Sequence, residues 1–366
     1  MILMNDFQAE SPDIKDEMNS AVERVIDSGW FVLGKEVETF ERSWADVCGV
    51  DFGVGVANGM DAIEIALRAL GVGPGDEVIT SPMTAFATVL AILRSGAIPV
   101  LADIHAESAL LNQESVSRCV TSKTKAVILV HLYGQVRDME QWQLFCEESN
   151  IHLIEDCAQS HLATWKGNVA GSFGKAGAYS FYPTKNLGTL GDGGMLVTRN
   201  EEIAKQARCL RNYGQSVRYH HPKIGMNSRL DEVHAAILQV RLKWLVGFTH
   251  RRQEIAQMYS NGIANPVINK MALPQETSAH SYHLYVITSK QRDELKVHLE
   301  KCEIQTYFHY PIPIHHQKSC EGIVTDRSGL GVSENHAREC LSIPCHPQLT
   351  NENIFKVINA VNDFKL

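Results

Sequence analysis

The nine cysteines form no Cys-x-x-Cys pair, and their number is odd. That pattern excludes a disulfide framework and a zinc module, and fits a reduced cytoplasmic protein. The opening MILMNDFQAE has neither a basic cluster nor an apolar run, so no signal peptide is expected. The longest apolar stretch, Ala85 to Leu93, stops at Arg94 and is too short to span a bilayer. Basic residues are outnumbered: 34 Lys and Arg stand against 42 Asp and Glu, a net charge of -8. Nothing chain-wide therefore favours nucleic acid or an acidic membrane, although a local cluster of donors can still hold a small anion. There is no repeat or low-complexity tract, and no Gly-Lys-[Ser/Thr] that would make a P-loop.

What is present is an alternation of short apolar runs and amphipathic helices from about residue 51. FGVGVA reads as a strand and DAIEIALRAL as a helix, then EVIT, AIPVLAD, TKAVILV and IHLIEDCA as strands between further helices. Apolar strands separated by helices predict an α/β fold whose mostly parallel central sheet is covered on both faces. From about residue 201 the pattern turns helical, and SYHLYVIT, DELKVHLEKC and EIQTYFHY suggest a smaller α/β unit. With 366 residues, the chain is long enough for a large domain over 1–245, N-terminal arm included, and a small C-terminal domain over 246–366.

Ligands of open α/β sheets sit beyond the carboxyl ends of strands, and three features fall at such ends. Asn58, Gly59, Met60 and Asp61 join a strand to a helix, where unpaired N–H groups suit a phosphate; the plainer reading has Asp61 cap the helix. Glu155 and Asp156 close an apolar strand, with Gln159 just beyond; a carboxylate there either serves a ligand or caps the next segment. A pyridine-type cofactor would need such a carboxylate facing its ring nitrogen. Lys185 lies between a short strand and the loop GTLGDGG, as a surface lysine or as an amine that desolvation frees for Schiff-base chemistry. The His-rich pieces, Tyr219-His220-His221 and His309-Tyr310 to His315-His316, match no structural zinc spacing, and Pro311 and Pro313 stiffen the second. No metal is expected.

The segments NGMDAIEIALRALGVGPGDEVIT, HLYGQ, IEDCAQS, SFYPTKNLGTLGDGG, LRNYGQ, NSRLDEVHAAIL and HYPIP occur in this order. Together they resemble the DegT/DnrJ/EryC1/StrS sugar aminotransferases, of the aspartate aminotransferase-like fold (fold type I). The resemblance implies pyridoxal 5'-phosphate as cofactor, with Lys185 as its covalent anchor and proton shuttle, Asp156 at the pyridine nitrogen and Gln159 on the ring-hydroxyl side. Gly59, Met60 and Ser180 would hold the phosphate, and Asn227 would reach it from a partner subunit, which implies a homodimer with shared sites. Two departures stand out. Ala85 occupies the place of a ring-stacking aromatic, leaving Phe86 as the candidate, and Met60 replaces a commoner hydroxyl residue.

Tyr182, Arg229, His309 and Tyr310 fall on the substrate side. The resemblance implies glutamate as amino donor and a nucleotide-linked keto sugar as acceptor. HYPIPIHHQ is closer to enzymes of dTDP-linked 3-keto-6-deoxyhexoses than to 4-keto enzymes, which remain the alternative. Dehydratases of this group carry histidine in place of the lysine, so Lys185 argues against that chemistry. The intact Lys185, Asp156 and Gln159 argue against a non-catalytic regulator.

Overall fold

The computed structural model describes residues 1–365. In chain order the elements are α1 (Pro12–Ser28), α2 (Lys35–Cys48), β1 (Phe52–Val56), α3 (Gly59–Ala69), β2 (Glu77–Thr80), α4 (Phe86–Ser95), β3 (Ile98–Leu101), α5 (Gln113–Cys119), β4 (Thr124–Val130), α6 (Met139–Glu148) and β5 (His152–Asp156). There follow β6 (Thr164–Trp165), β7 (Asn168–Val169), β8 (Ala176–Ser180), β9 (Gly194–Thr198), α7 (Glu201–Leu210), α8 (Glu232–Gly262), β10 (Asn269–Lys270), β11 (Tyr285–Thr288), α9 (Arg292–Lys301), β12 (Val324–Thr325), α10 (Gly331–Glu339), β13 (Cys340–Ile343) and α11 (Asn351–Asp363).

The central sheet has eight strands in the order β1-β9-β8-β5-β4-β2-β3-β12, and β9 alone runs against the others. Its strands are apolar at nearly every position because successive side chains feed opposite cores. Val127, Leu153 and Val197 join Trp44, Trp142 and Leu238 on one face. Ile128, Ile154 and Leu196 join Ile63, Leu67 and Ile203 on the other. A sheet buried on both sides has this composition, so the expected α/β architecture is the one observed.

Register decides where chemistry can gather. Val56 lies opposite Gly194, which lies opposite Ser180; Ala178 lies opposite Asp156, and Asp156 opposite Val130. The ends of β1, β8, β5 and β4 therefore open on one edge, where all the strand-end residues singled out above emerge. The 31-residue helix α8 carries Leu238 in the core under the sheet and Tyr259 in a second core with Ile287, Leu299, Leu341 and Val357. Beneath that second core lies the antiparallel sheet β10-β11-β13. The chain then returns to the first body: Val324 and Thr325 pair with Val100 and Leu101 at the sheet edge, and Asp326 is fixed there by Arg118 and Ser115. The motif residue Glu232 also acts structurally. Its carboxylate accepts the N–H groups of Gly34, Glu36 and Val37 at 2.8, 2.9 and 3.0 Å, capping α2.

Candidate active site

At the head of α3, Asn58 Oδ1 accepts the Asp61 N–H at 2.8 Å, so Asn58 is the cap. Asp61 is occupied structurally, in an ion pair with Arg94 at 3.2 Å. The N–H groups of Gly59 and Met60, ahead of the first intrahelical bond, remain for a ligand. Glycine is required at 59: a Cβ there would stand 2.8 Å from Ser180 Cβ and 3.2 Å from the Tyr179 carbonyl oxygen. That close approach brings Ser180, with a hydroxyl as a further donor, against the helix terminus, an arrangement suited to an anion. Met60 packs into the apolar core on the α3 face and offers only its backbone.

The two carboxylates ending β5 part company because neighbours on a strand face opposite ways. Glu155 is fully buried and accepts N–H groups from Gly171, Phe173 and Gly174 at 2.7 to 2.8 Å, besides facing His131 at 2.9 Å. It is a loop anchor. Asp156 faces the open edge, with Oδ2 accepting from the Thr88 hydroxyl at 2.8 Å and Oδ1 from the Ala158 N–H at 3.1 Å. Thr88 in turn meets Thr84 at 2.8 Å.

Lys185 is half-buried, in the turn closed by its N–H to the Tyr182 carbonyl at 2.8 Å. Burial draws its ammonium down to about 8, against the opposing pull of the Asp156 carboxylate. Roughly a tenth of the amine is thus uncharged at pH 7, far more than for an ordinary lysine, and a nucleophilic or proton-carrying lysine needs that free amine. Its surroundings are neutral imidazoles. Burial first, and the Lys185 charge second, hold His161 to about 3 and His309 to about 4, and push His283 well below its ordinary value. His283 Nδ1 lies 3.2 Å from Asn186 Oδ1, next in sequence to the lysine. His161 packs among Trp44, Tyr179 and Phe181.

Gln159 joins this cluster to the C-terminal loop. Its Oε1 accepts the Tyr133 N–H at 2.6 Å, which turns Nε2 toward the Tyr310 hydroxyl at 3.2 Å. Burial, then the Asp156 charge, pushes the Tyr310 phenol up to about 12, so it stays protonated. Tyr133 donates its hydroxyl to the His309 carbonyl at 2.5 Å. Its oxygen is then left to accept from His336 Nε2 at 2.8 Å, which fixes the tautomer of that neutral ring.

Gly59, Ser180, Asp156, Gln159, Lys185, His309 and Tyr310 thus belong to one neighbourhood. Asn227 is exposed and paired across the backbone with Asn212. Arg229 lies in that same strip, 3.2 Å from Asn212 Oδ1 and over the Tyr213 ring. Tyr182 is half exposed at the rim. Phe86, at the start of α4, packs against the cluster of Val89, Leu101, Ile314 and Leu330. Thr88, Tyr133, Asn186, His283 and His336 were not singled out from the sequence. Thr88 and Tyr133 lie inside recognisable strings, TAFAT and HLYGQ, whereas His283 and His336 carry no local signal. The donor set fits pyridoxal phosphate: an anion cradle at a helix terminus, a fixed carboxylate for a pyridinium nitrogen, and a lysine with a lowered pKa.

Fold and site together are those of a fold type I vitamin B6 enzyme. The chain belongs to the DegT/DnrJ/EryC1/StrS aminotransferase family, which matches residues 12–362. It is 42% identical over 366 residues to the dTDP-3-amino-3,6-dideoxy-alpha-D-galactopyranose transaminase of Aneurinibacillus thermoaerophilus, covering 100% of this chain and 99% of the other. The crystal structure of DesV from S. venezuelae is 39% identical and superimposes with a TM-score of 0.95 over 99% of this chain and 98% of that one. NtdA from Bacillus subtilis, solved with bound PMP, is 28% identical with a TM-score of 0.89 over 96% and 82%. Among the described residues no helix is long and apolar enough to cross a membrane.

Proposed function

We propose that this protein transfers an amino group from glutamate to C3 of a dTDP-linked 3-keto-6-deoxyhexose, with pyridoxal phosphate as its cofactor. When bound, the cofactor supplies an electron sink for the carbanion formed at the amino-bearing carbon. The chain does the rest. Gly59, Met60 and Ser180 grip the phosphate, and Asp156 keeps the ring nitrogen protonated. Gln159 sits on the ring-hydroxyl side, and we assign the ring-facing role to Phe86, two residues before Thr88. Lys185 Nζ anchors the cofactor and carries the proton between carbon atoms, and its lowered pKa lets it serve as both base and acid near neutrality.

His309 and Tyr310 orient the sugar, with Tyr182 and Arg229 at the rim. The protein works as a homodimer in which Asn227 of the partner subunit completes the phosphate site. It is a cytoplasmic enzyme, with the cofactor on residues 1–245 and residues 246–366 forming the small domain. The observation that carries the reading is the meeting of Lys185 and the fixed Asp156 at one sheet edge; the 3-amino sugar named for the Aneurinibacillus relative supports C3. The test is in two parts. Glutamate alone should bleach the yellow holoenzyme, and the bleached enzyme should regain colour with a 3-keto but not a 4-keto dTDP-deoxysugar. Colour regained only with the 4-keto compound moves the reaction to C4, and no bleaching removes glutamate as donor.

A further inference from the structure

The turn Ile314–His316 follows the proline-braced loop and turns both of its imidazoles toward one atom. His315 Nε2 lies 3.2 Å and His316 Nε2 3.7 Å from the same oxygen, Oε1 of Glu334 on α10. Glu334 is 19 residues beyond His315, so no ligand spacing read along the sequence joins it to the pair; the return of the chain to the sheet edge does. One donor atom from each of the three lies within 4.8 Å of the other two.

Only His315 is within hydrogen-bond distance of that oxygen; His316, at 3.7 Å, is beyond it and yet aims at the same atom. A shared cation accounts for both. A tetrahedral ion with bonds of about 2.0–2.1 Å places its ligand atoms about 3.3 Å apart, and the two observed separations bracket that spacing. Exposure is graded: the side chains of His315, Glu334 and His316 are 11%, 33% and 50% accessible, so one side is rooted in the protein and the other faces water. We propose that His315, His316 and Glu334 hold one divalent cation of the zinc or nickel class, with water as the fourth ligand. Two imidazoles and one carboxylate suit such ions, whereas calcium and magnesium take mostly oxygen ligands. The buried group His131, Glu155 and Cys157 is no rival, because Glu155 is already engaged by three backbone N–H groups and His131.

The ion acts as a brace and takes no part in the chemistry. Helix α10 also carries His336, which bonds Tyr133 and through it the His309 carbonyl. A cation at Glu334 therefore ties the far end of the 309–317 loop to the helix that already secures its near end.

The test uses metal-stripped holoenzyme titrated with Co2+, whose visible d–d bands report nitrogen and oxygen ligands, followed by displacement with Zn2+. One equivalent should bind per chain, with no thiolate charge-transfer band. His316→Ala and, separately, Glu334→Gln should each weaken binding by more than roughly tenfold, the least that losing even a ligand-orienting group costs. Their metal-free melting temperatures should stay near that of the wild type. Unchanged affinity in both variants would overturn the site, as would a thiolate band placing the ion on the exposed Cys302.

Discussion

Thr88 holds Asp156: its hydroxyl meets Oδ2 at 2.8 Å while the Ala158 N–H holds Oδ1 at 3.1 Å. The carboxylate assigned to a pyridinium nitrogen is thus oriented from α4 on one side and from its own strand end on the other. A hydrogen bond to a charged group contributes about 1.5–3 kcal/mol. Thr88→Val keeps the shape and removes the donor, so both half-reactions should slow by roughly 10–100-fold with cofactor still bound. Asp156→Asn should slow them further. Stopped-flow absorbance measures each half-reaction, and wild-type rates in Thr88→Val would reduce the contact to packing.

Gly59→Ala tests the phosphate cradle. The added methyl would press on Ser180 Cβ at 2.8 Å, and overpacking of this kind costs about 1–3 kcal/mol. Affinity for pyridoxal phosphate should fall roughly tenfold or more, while affinity for pyridoxal, which lacks the phosphate, should change little. Equal losses for the two ligands in equilibrium dialysis would place the damage elsewhere.

The pH dependence follows from Lys185. Its folded pKa, about 8, lies below the ordinary 10.5, so the folded chain releases this proton earlier than the unfolded chain does. Covalent capture of pyridoxal phosphate by the apoenzyme needs the free amine, and its rate should rise with pH and level off above about 8. Between about 8 and 10.5 the unfolded chain alone keeps the proton, so Lys185 should add stability to the apoenzyme as pH rises through that window. A capture rate still climbing toward 10.5 would show an unperturbed lysine.

The parts of this site that were legible in the sequence are those held by short-range rules. Asp156 and Lys185 stand beyond the ends of apolar strands, and Gly59 stands where a strand turns into a helix, so the pattern marked these places but left each with a plainer structural reading. The resemblance then supplied their roles, and those of Gln159, Ser180 and Asn227. The chain order of the central strands was legible too, but the return of Val324–Thr325 to the edge of that sheet was not, since two residues carry no periodicity. Nor was the bond from Tyr133 to His336, which spans 203 residues and depends on how α10 docks. His283 and Thr88 were missed for the same reason: their importance lies in partners that only the fold brings near.

Asn227 is exposed in the single chain, and the proposed homodimer puts it in the partner's site. Lys185→Ala subunits mixed with Asn227→Ala subunits should form hybrids with one doubly damaged site and one intact site. Activity should therefore rise well above either parent alone. No gain over the parents would mean that each site is built from one chain.

The assigned activity stands or falls on where the nitrogen goes. Nitrogen-15 glutamate, pyridoxal phosphate and freshly prepared dTDP-3-keto-6-deoxyhexose should yield 2-oxoglutarate and a sugar nucleotide labelled at C3, located by NMR, with wild-type enzyme but not with Lys185→Ala. Label at C4 of a 4-keto substrate, with none from the 3-keto one, would contradict the assigned carbon. No label in any keto sugar nucleotide would contradict amino transfer to a sugar altogether.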